Sequence, residues 1–192
     1  LICMPASSPD FDAAFFRTAL GRYATGVTVV TTSDLDGAPI GLTVSSFNSV
    51  SLNPPLVLWS LSRNSSSLAA FEQCQRYVVN VLGAEQIALA RRFATGKTPD
   101  RYNGLTVHHA PGGTPMLDGH CAAWFECHNR SRYVEGDHVI MVGEVERCGH
   151  SGEPPLVFHA GGFDLTPAGA RAGKTPCCLL YTSDAADEGL GV

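Results

Sequence analysis

Short segments rich in β-branched residues, separated by turn signals, constrain the fold of this chain most strongly. The run GVTVVTT at 26–32 is followed by the Asp36-Gly37 turn signal, and residues 77–82 read YVVNVL. Further strands are predicted at 39–47, 56–61, 122–127 and 138–145. These strands do not alternate regularly with helices, which disfavours a doubly wound parallel sheet. The pattern predicts a mainly β fold with a few helices, built as a closed or nearly closed antiparallel barrel.

Three segments have helical spacing instead. Phe11, Phe15 and Ala19 lie four apart after Pro9 and Asp10, which predicts a capped amphipathic helix over 11–23. Further helices are predicted at 65–73 and at 84–94.

The domain organisation follows from length and from the composition of the two ends. A chain of 192 residues suits one domain, which we assign to 11–167, with an N-terminal extension at 1–10. A Pro/Gly/Ala-rich bridge at 167–176 leads into CCLLYTSDAADEGLGV, which has no periodicity that continues the domain. We therefore expect 168–192 to be a tail outside the domain, added by cloning or sequence assembly.

Composition excludes several classes of function. With 44% hydrophobic and 16% charged residues the chain is expected to be globular, and its net charge of -5 without a basic stripe argues against nucleic-acid binding. No apolar run approaches the ~20 residues that span a bilayer, and no export signal is seen, so a cytoplasmic location away from membranes is expected. The seven cysteines are scattered without a C-x-x-C pair, which predicts neither a disulfide framework nor a metal site.

Common nucleotide and ester motifs are also missing from the sequence. No G-x-G-x-x-G follows a strand, and no G-x-S-x-G elbow is found. Gly96-Lys97-Thr98 resembles the end of a phosphate loop, but Arg91 occupies the position of the loop's first glycine. A Rossmann domain, a P-loop domain and a serine hydrolase are therefore disfavoured.

The most informative block of the sequence runs over 41–67 and is dense in hydroxyl side chains. A flavin ring edge needs backbone and hydroxyl hydrogen-bond partners, and its phosphate needs N–H groups and positive charge. The strand end at Thr43-Val44-Ser45-Ser46 suits the ring edge. A helix starting at Asn64-Ser65, beside Arg63, suits the phosphate through its free N–H groups and its dipole. The alternative is that these residues only cap turns and helices.

Ordered markers along the chain carry a family resemblance over about 11–165. They are GRYATGVTVV at 21–30, TVSSF at 43–47, SLNPP at 51–55, VVNVL at 78–82, RFA at 92–94, EC at 126–127, GDH at 136–138 and PLVFH at 155–159. In this order the set resembles the short-chain flavin reductase family, whose fold is an antiparallel FMN-binding split β-barrel. Members serve as the reductase component of two-component flavin monooxygenases.

The resemblance implies a role for particular residues. The isoalloxazine ring would be lined by Thr43, Val44, Ser45 and Ser46. The ribityl-phosphate arm would meet Ser60, Ser65 and Ser67, with Arg63 or Arg92 as the phosphate partner and Phe93 beside it. The histidine of Gly136-Asp137-His138 would lie where nicotinamide docks, near the late aromatics Phe158 and Phe163.

Two features qualify this assignment. Without the resemblance, His138 fits a solvated or capping residue at a strand start as well as it fits a proton-handling group. The family often has a basic or polar residue after the late histidine, whereas His159 is followed here by Ala160-Gly161-Gly162-Phe163. Any nicotinamide-phosphate contact made by that basic residue is therefore missing from this chain.

The implied activity is hydride transfer from nicotinamide C4 to flavin N5, for which the two cofactors supply the chemistry and the protein stacks their rings. The cofactor is FMN or FAD, the co-substrate is NADH or NADPH, and the expected partners are a second copy in a homodimer and a separate oxygenase. The flavin sites of family members lie near the subunit interface. Three alternatives stay open: a non-catalytic flavin carrier on the same barrel, a pyridoxamine-phosphate oxidase, and a β-barrel binding module without a cofactor.

Overall fold

The structure is a computed structural model that describes residues 9–96, 100–117 and 120–164. The helices are α1 (Ala13–Leu20), α2 (Leu68–Gln73) and α3 (Ile87–Thr95). The strands are β1 (Thr25–Gly26), β2 (Thr28–Ser33), β3 (Pro39–Val44), β4 (Asn48–Leu52), β5 (Pro55–Ser62), β6 (Arg76–Val81), β7 (His108–His109), β8 (Pro115–Met116), β9 (Ala123–Glu135), β10 (His138–His150), β11 (Val157–His159) and β12 (Gly162–Asp164). The predicted tail at 168–192 and most of the predicted N-terminal extension lie outside the described residues.

One antiparallel sheet of seven strands dominates the molecule, in the order β3-β2-β6-β9-β10-β5-β4. Strands β3 and β4 follow each other in the chain, yet they form the two opposite edges of this sheet. The chain between them therefore passes from one edge to the other, and no ladder of hydrogen bonds joins the described edges. This is a split barrel, so the predicted antiparallel architecture is confirmed.

Two smaller sheets complete the fold, one of β1-β11-β12 and one of β7-β8. Strand β1 pairs with β11, whose Phe158 lies opposite Thr25. Among the described residues, no helix is long and apolar enough to cross a bilayer.

The hairpin of β9 and β10 is much longer than the sequence predicts. The prediction ended β9 at 127 and β10 at 145, whereas the strands reach Glu135 and His150. The outer part of β9 is mostly exposed and reads HNRSRYVE, so it lacks the apolar alternation used to recognise a strand. Pairing with β10 stabilises it, and Gly136, at φ 59°, makes the tight turn.

Helix α1 also departs from its prediction. It covers Ala13–Leu20 instead of 11–23, and Asp12 caps it by accepting a 2.8 Å hydrogen bond from Phe15 N–H. None of its residues is buried, so the predicted apolar face does not pack against the rest of the described chain. The end of the helix contacts the β11–β12 turn, where Ala160 N–H donates to Gly21 C=O at 2.8 Å.

Alternation along β5 links the core to the surface. Trp59 and Leu61 point into the barrel, where Trp59 makes edge contacts with Phe71 at 5.1 Å and Tyr77 at 5.6 Å between ring centroids. Ser60 and Ser62, between and after them, face the opposite side of the strand. A second apolar cluster holds α3 and the small sheet through residues such as Phe93, Leu82 and Leu156.

Candidate functional site

A cleft of about 380 Å³ lies at the split between the ends of β3 and β5. We call it the polar cleft. It is lined by Leu42, Thr43, Val44, Ser45, Ser46, Ser60, Leu61, Ser62, Ser65, Phe93, Ala94, Arg101 and His138. Six of these side chains carry a hydroxyl, and Phe93 adds a phenyl ring. Arg101 contributes a guanidinium group and His138 an imidazole. The cleft thus joins residues from β3, β5, β10, α3 and the connections between them.

Ser46 bridges the split itself. Its Oγ accepts a 2.9 Å hydrogen bond from Ser60 N–H and lies 3.3 Å from Ser60 C=O, to which it can donate. This contact holds the connection after β3 against the end of β5 and so fixes the cleft's width. The hydroxyls of Ser45 and Ser60 have no protein partner in the described part of the chain, which leaves them available to a ligand.

Thr43 has a different role from its neighbours. Its Oγ1 donates to Ala90 C=O at 2.7 Å, which ties α3 to β3 and brings Phe93 to the wall of the cleft. Close approach also favours glycine at position 41, because a Cβ there would lie only 3.0 Å from both the Phe93 ring and the Tyr102 hydroxyl oxygen. Thr43 therefore positions the wall of the cleft, and its hydroxyl proton is already used in the hydrogen bond to Ala90 C=O.

Arg101 is the most informative side chain of the cleft. Its Nε donates to Gly96 C=O at 2.9 Å and its Nη1 to Gly41 C=O at 2.6 Å. Burial lowers the pKa of the guanidinium from its ordinary value. No carboxylate of the described chain forms an ion pair with it. A partly buried cation held only by neutral carbonyls favours an anionic ligand group nearby.

His138 begins β10 at the other side of the cleft, as the sequence predicts. Its Nδ1 lies 2.7 Å from Asp137 Oδ1, and the same contact lowers the pKa of the Asp137 carboxyl. A carboxylate at Nδ1 favours the proton on that nitrogen, which leaves Nε2 as the ring nitrogen available to a ligand. The pair is exposed to solvent, so a docking molecule can reach it.

Five residues implied by the resemblance lie outside the lining. Arg63 donates to Gly136 C=O at 3.4 Å, Ser67 is buried, and Arg92 donates to the carbonyls of Asp100 and Asn103. Phe158 and Phe163 contact each other at 5.5 Å in the second apolar cluster.

The predicted helix at Asn64-Ser65 is wrong in its start and in its length. Helix α2 begins at Leu68 and has only 6 residues, because 62–67 form turns in which serine hydroxyls accept from backbone N–H groups. Ser65 still lines the cleft, but it does so from a turn.

Arg101 and Ser62 are the polar cleft residues that the sequence did not predict. Ser62 lies in the hydroxyl-rich block and was therefore visible as a member of it. Arg101 lies far from that block in a connection without a regular pattern, and only folding brings it to Gly41. No local signal distinguished it from Arg63 or Arg92.

The cleft's chemistry fits a flavin. Free hydroxyls suit a polar ring edge, Phe93 suits the face or rim of a flat ring, and Arg101 suits a phosphate. The volume of about 380 Å³ lies within the range of small-molecule sites. Fold and cleft together define a split-barrel protein with a site for a flat, anionic cofactor.

Comparison with known proteins gives the family. The flavin reductase like domain matches residues 20–166, which is most of the chain. This protein belongs to the flavin reductase family.

Three relatives illustrate the similarity. The FMN reductase (NADH) SmoA of Agrobacterium fabrum is 44% identical over 148 residues, covering 77% of this chain and 83% of that protein. The reductase subunit HsaB of a flavin-dependent monooxygenase from Rhodococcus jostii is 39% identical over 153 residues, which cover 79% of this chain and 77% of HsaB. The NADH:FAD oxidoreductase SgcE6 of Streptomyces globisporus, solved with NAD and FAD fragments, has a TM-score of 0.75 and 32% identity, covering 82% and 94% of the two chains.

Proposed function

We infer that this protein is an NAD(P)H:flavin oxidoreductase that supplies reduced flavin to a separate monooxygenase. The observation that carries the proposal is the polar cleft, which combines the available hydroxyls of Ser45 and Ser60 with Arg101, a cation that forms no ion pair with a carboxylate of the described chain. The family and the relatives named as FMN reductase and monooxygenase reductase subunit support the same reaction. The cleft suits the isoalloxazine and first phosphate that FMN and FAD share, so both are expected to bind.

The side chains of the cleft bind and orient. Ser45 and Ser60 would hydrogen-bond the ring edge, and Ser46 would hold the connection after β3 at the distance from β5 that the ring needs. Arg101 would hold the phosphate by a charge-assisted hydrogen bond. A flavin held by these residues would supply the redox chemistry, with the nicotinamide as the hydride donor.

We propose His138 as the residue that receives the nicotinamide. Asp137 holds the imidazole through Nδ1, so Nε2 can accept a hydrogen bond from the nicotinamide carboxamide or place a proton beside it. Asp137 is ionised at neutral pH, because its contact with His138 lowers the pKa of the carboxyl. The positioning contact is therefore present above the ordinary carboxyl pKa, and it is lost only as the pH falls through the lowered value.

The experiment compares His138→Ala with His150→Ala, which removes an exposed histidine at the far end of the same strand. Flavin affinity is measured from the visible spectrum, and flavin bleaching is followed by stopped-flow after NADH or NADPH is added. For His138→Ala, kcat/KM for the nicotinamide should fall about tenfold or more, whereas the FMN dissociation constant changes less than about twofold. His150→Ala should behave as the wild type.

Three outcomes would overturn these assignments separately. Unchanged turnover in His138→Ala would remove His138 from the site. A wild-type protein that binds FMN but never bleaches it would be a flavin carrier, and one that ignores FMN would be a binding module without this cofactor.

A homodimer is proposed from a second surface. The edge strand β4 exposes Val50 and Leu52, and an apolar groove of about 430 Å³ runs beside it. The groove is lined by Phe47, Asn48, Ser49, Ser51, Leu52, Pro55, Leu56, Val57, Phe125, Val145 and Cys148. An exposed edge strand with an apolar flank favours pairing with another copy of itself.

The remaining proposals concern the extent and location of the enzyme. We propose 11–167 as the functional domain, because the family match over 20–166 lies within it. We propose the cytoplasm as its location, because Cys74, Cys121, Cys127 and Cys148 are free thiols and the nicotinamide co-substrate is regenerated inside the cell.

A further inference from the structure

A second cavity, of about 320 Å³, lies where α1 meets the β11–β12 turn. It is lined by Arg17, Thr18, Gly21, Arg22, Ala160 and Gly161, and we call it the arginine pocket. None of these residues lines the polar cleft, and none has been given a role above.

The floor of the arginine pocket is a contact between two small residues. Ala160 N–H donates to Gly21 C=O at 2.8 Å, and a Cβ on Gly21 would lie 3.7 Å from Ala160 Cα. Ala160 and Gly161 have φ values of 49° and 81°, a left-handed pair that makes the tight turn of the β11–β12 hairpin. A long side chain at 160 would stand beside this cavity, so alanine there leaves it open.

The walls of the pocket carry unbalanced positive charge. Neither Arg17 nor Arg22 forms an ion pair with a carboxylate of the described chain, although the whole protein has a net charge of -5. Arg17 in the last turn of α1 complements the helix dipole, but Arg22 lies beyond the helix end and is not explained in that way. Two guanidinium groups beside one cavity suit a phosphate or diphosphate, which they can bind by forked hydrogen bonds.

The elements that form the arginine pocket and the polar cleft pack against each other. Phe163 in β12 contacts Phe158 and lies under the Arg91 guanidinium, 5.7 Å from its ring centroid. Phe93, two residues after Arg91 on α3, lines the polar cleft. The hairpin that forms the arginine pocket therefore packs against the helix that forms the cleft. A nicotinamide dinucleotide carries both kinds of group that these two sites suit, a flat reacting ring and separate phosphates.

We propose that the arginine pocket binds phosphate groups of the ADP half of the nicotinamide co-substrate through Arg17 and Arg22. This inference rests on the proposed reductase function for its meaning. Arg17 in the last turn of α1 and Arg22 just after the helix would supply the positive charge for these phosphates. A ligand in the pocket would also add a second link between α1 and the β11–β12 hairpin, besides the hydrogen bond from Ala160 N–H to Gly21 C=O.

The first test separates the two halves of the co-substrate. The variants are Arg17→Ala, Arg22→Ala and the double variant, assayed with NADH and with reduced nicotinamide mononucleotide, which lacks the ADP half. In the double variant the KM for NADH should rise about tenfold, with kcat and FMN affinity changed less than about twofold. The KM for the mononucleotide should be unchanged. Arg130→Ala is the control, because Arg130 is an exposed arginine paired with Glu144 on the β9–β10 hairpin.

The second test does not depend on flavin reduction. Binding of ADP-ribose and of its 2′-phosphate to the flavin-free protein is measured by calorimetry, and hydrogen exchange of 13–21 is followed with and without these ligands. The wild type should bind at least one of them about tenfold more tightly than the double variant, with slower exchange in α1. Comparison of the two ligands assigns the site to the diphosphate or to the 2′-phosphate.

The proposal is overturned if wild type and double variant bind both ligands equally. It is also overturned if the KM for the mononucleotide rises as much as that for NADH, since the arginines would then act on the fold. A protein that binds ADP-ribose through these arginines without bleaching flavin would retain the pocket and lose the reductase function.

Discussion

The two ends of β5 form two very different surfaces. Its last residues, Ser60 to Ser62, line the polar cleft, whereas its first residues, Pro55 to Val57, line the apolar groove. The two cavities have similar volumes, about 380 and 430 Å³. They differ in chemistry: the cleft has hydroxyls and an unpaired cation, and the groove is mostly aliphatic and aromatic.

The difference comes from the outward-facing positions of a single strand. Residues that point into the barrel, such as Trp59 and Leu61, stay apolar to the end of β5. Only the outward positions change, from Leu56 and Leu58 to Ser60 and Ser62. The polar end matches a small anionic molecule, and the apolar end matches a protein surface. The same buried side chains, such as Trp59 and Leu61, support both ends of β5. A substitution among them should therefore affect both the polar cleft and the apolar groove.

The largest effect is expected from Trp59→Ala. Trp59 is fully buried between Phe71 and Tyr77, so its truncation should lower the free energy of unfolding by about 3–5 kcal/mol. Denaturant unfolding measures this, with Leu35→Ala as the control, because Leu35 is 80% exposed and its loss should cost less than about 0.5 kcal/mol. Both FMN binding and self-association should weaken. If only one of them changed, the two ends of β5 would be independent.

Arg101→Ala should produce the next largest effect, confined to the polar end. Loss of a charge-assisted hydrogen bond to phosphate should raise the dissociation constant of FMN about 10- to 100-fold. Riboflavin has no phosphate, so its affinity should change less than about twofold. Fluorescence titration with both ligands measures the difference, and Arg101→Lys should recover part of the FMN affinity.

The matched controls are Arg63→Ala and Arg92→Ala, the two phosphate partners that the resemblance implies. Neither lines the cleft, and smaller losses of FMN affinity are expected for both. Equal weakening of FMN and riboflavin in Arg101→Ala would show that Arg101 acts by holding Gly41 and Gly96 in place.

The smallest effect is expected at the apolar end, from Leu52→Glu. Leu52 is 70% exposed on β4 and lines the groove, so a charge there should weaken self-association about tenfold. Size-exclusion chromatography with light scattering measures the change, and Leu35→Glu controls for a charge placed outside the groove. A wild type that is monomeric at every concentration would contradict the proposed dimer.

Cysteine alkylation gives a second measure of the same surface. Cys148 is exposed in the groove, so it should react several-fold faster in Leu52→Glu than in the associated wild type. Cys127 should stay unreactive in both at about pH 8, because burial raises the pKa of its thiol and keeps reagents away. Peptide mapping separates these sites from the other cysteines. Equal rates at Cys148 would place the contact elsewhere.

The sequence predicted much of the polar cleft because its residues are close in the chain. Thr43 to Ser46, Ser60 and Ser65 all lie in one hydroxyl-rich block, and the structure brings them together with Phe93 and His138. Their individual roles remain proposals. The choice among arginines was not predictable, because charge alone does not show where a long side chain reaches, whether it starts from a connection, as in Arg63 and Arg101, or from the last turn of α3, as in Arg92.

Local order along the chain determined which segments become strands. The sequence alone predicts the β-branched strands at Thr28–Ser33 and Arg76–Val81, and it also carries the family markers. Both signals depend on neighbouring residues, as alternation and turn chemistry do. Long-range pairing decided the rest. The position of β3 and β4 at opposite edges, the Ser46 bridge from the connection after β3 to β5 and the approach of Arg101 to Gly41 all depend on how the sheet curls. A curled sheet places residues that are distant in sequence side by side, and no local pattern encodes that proximity.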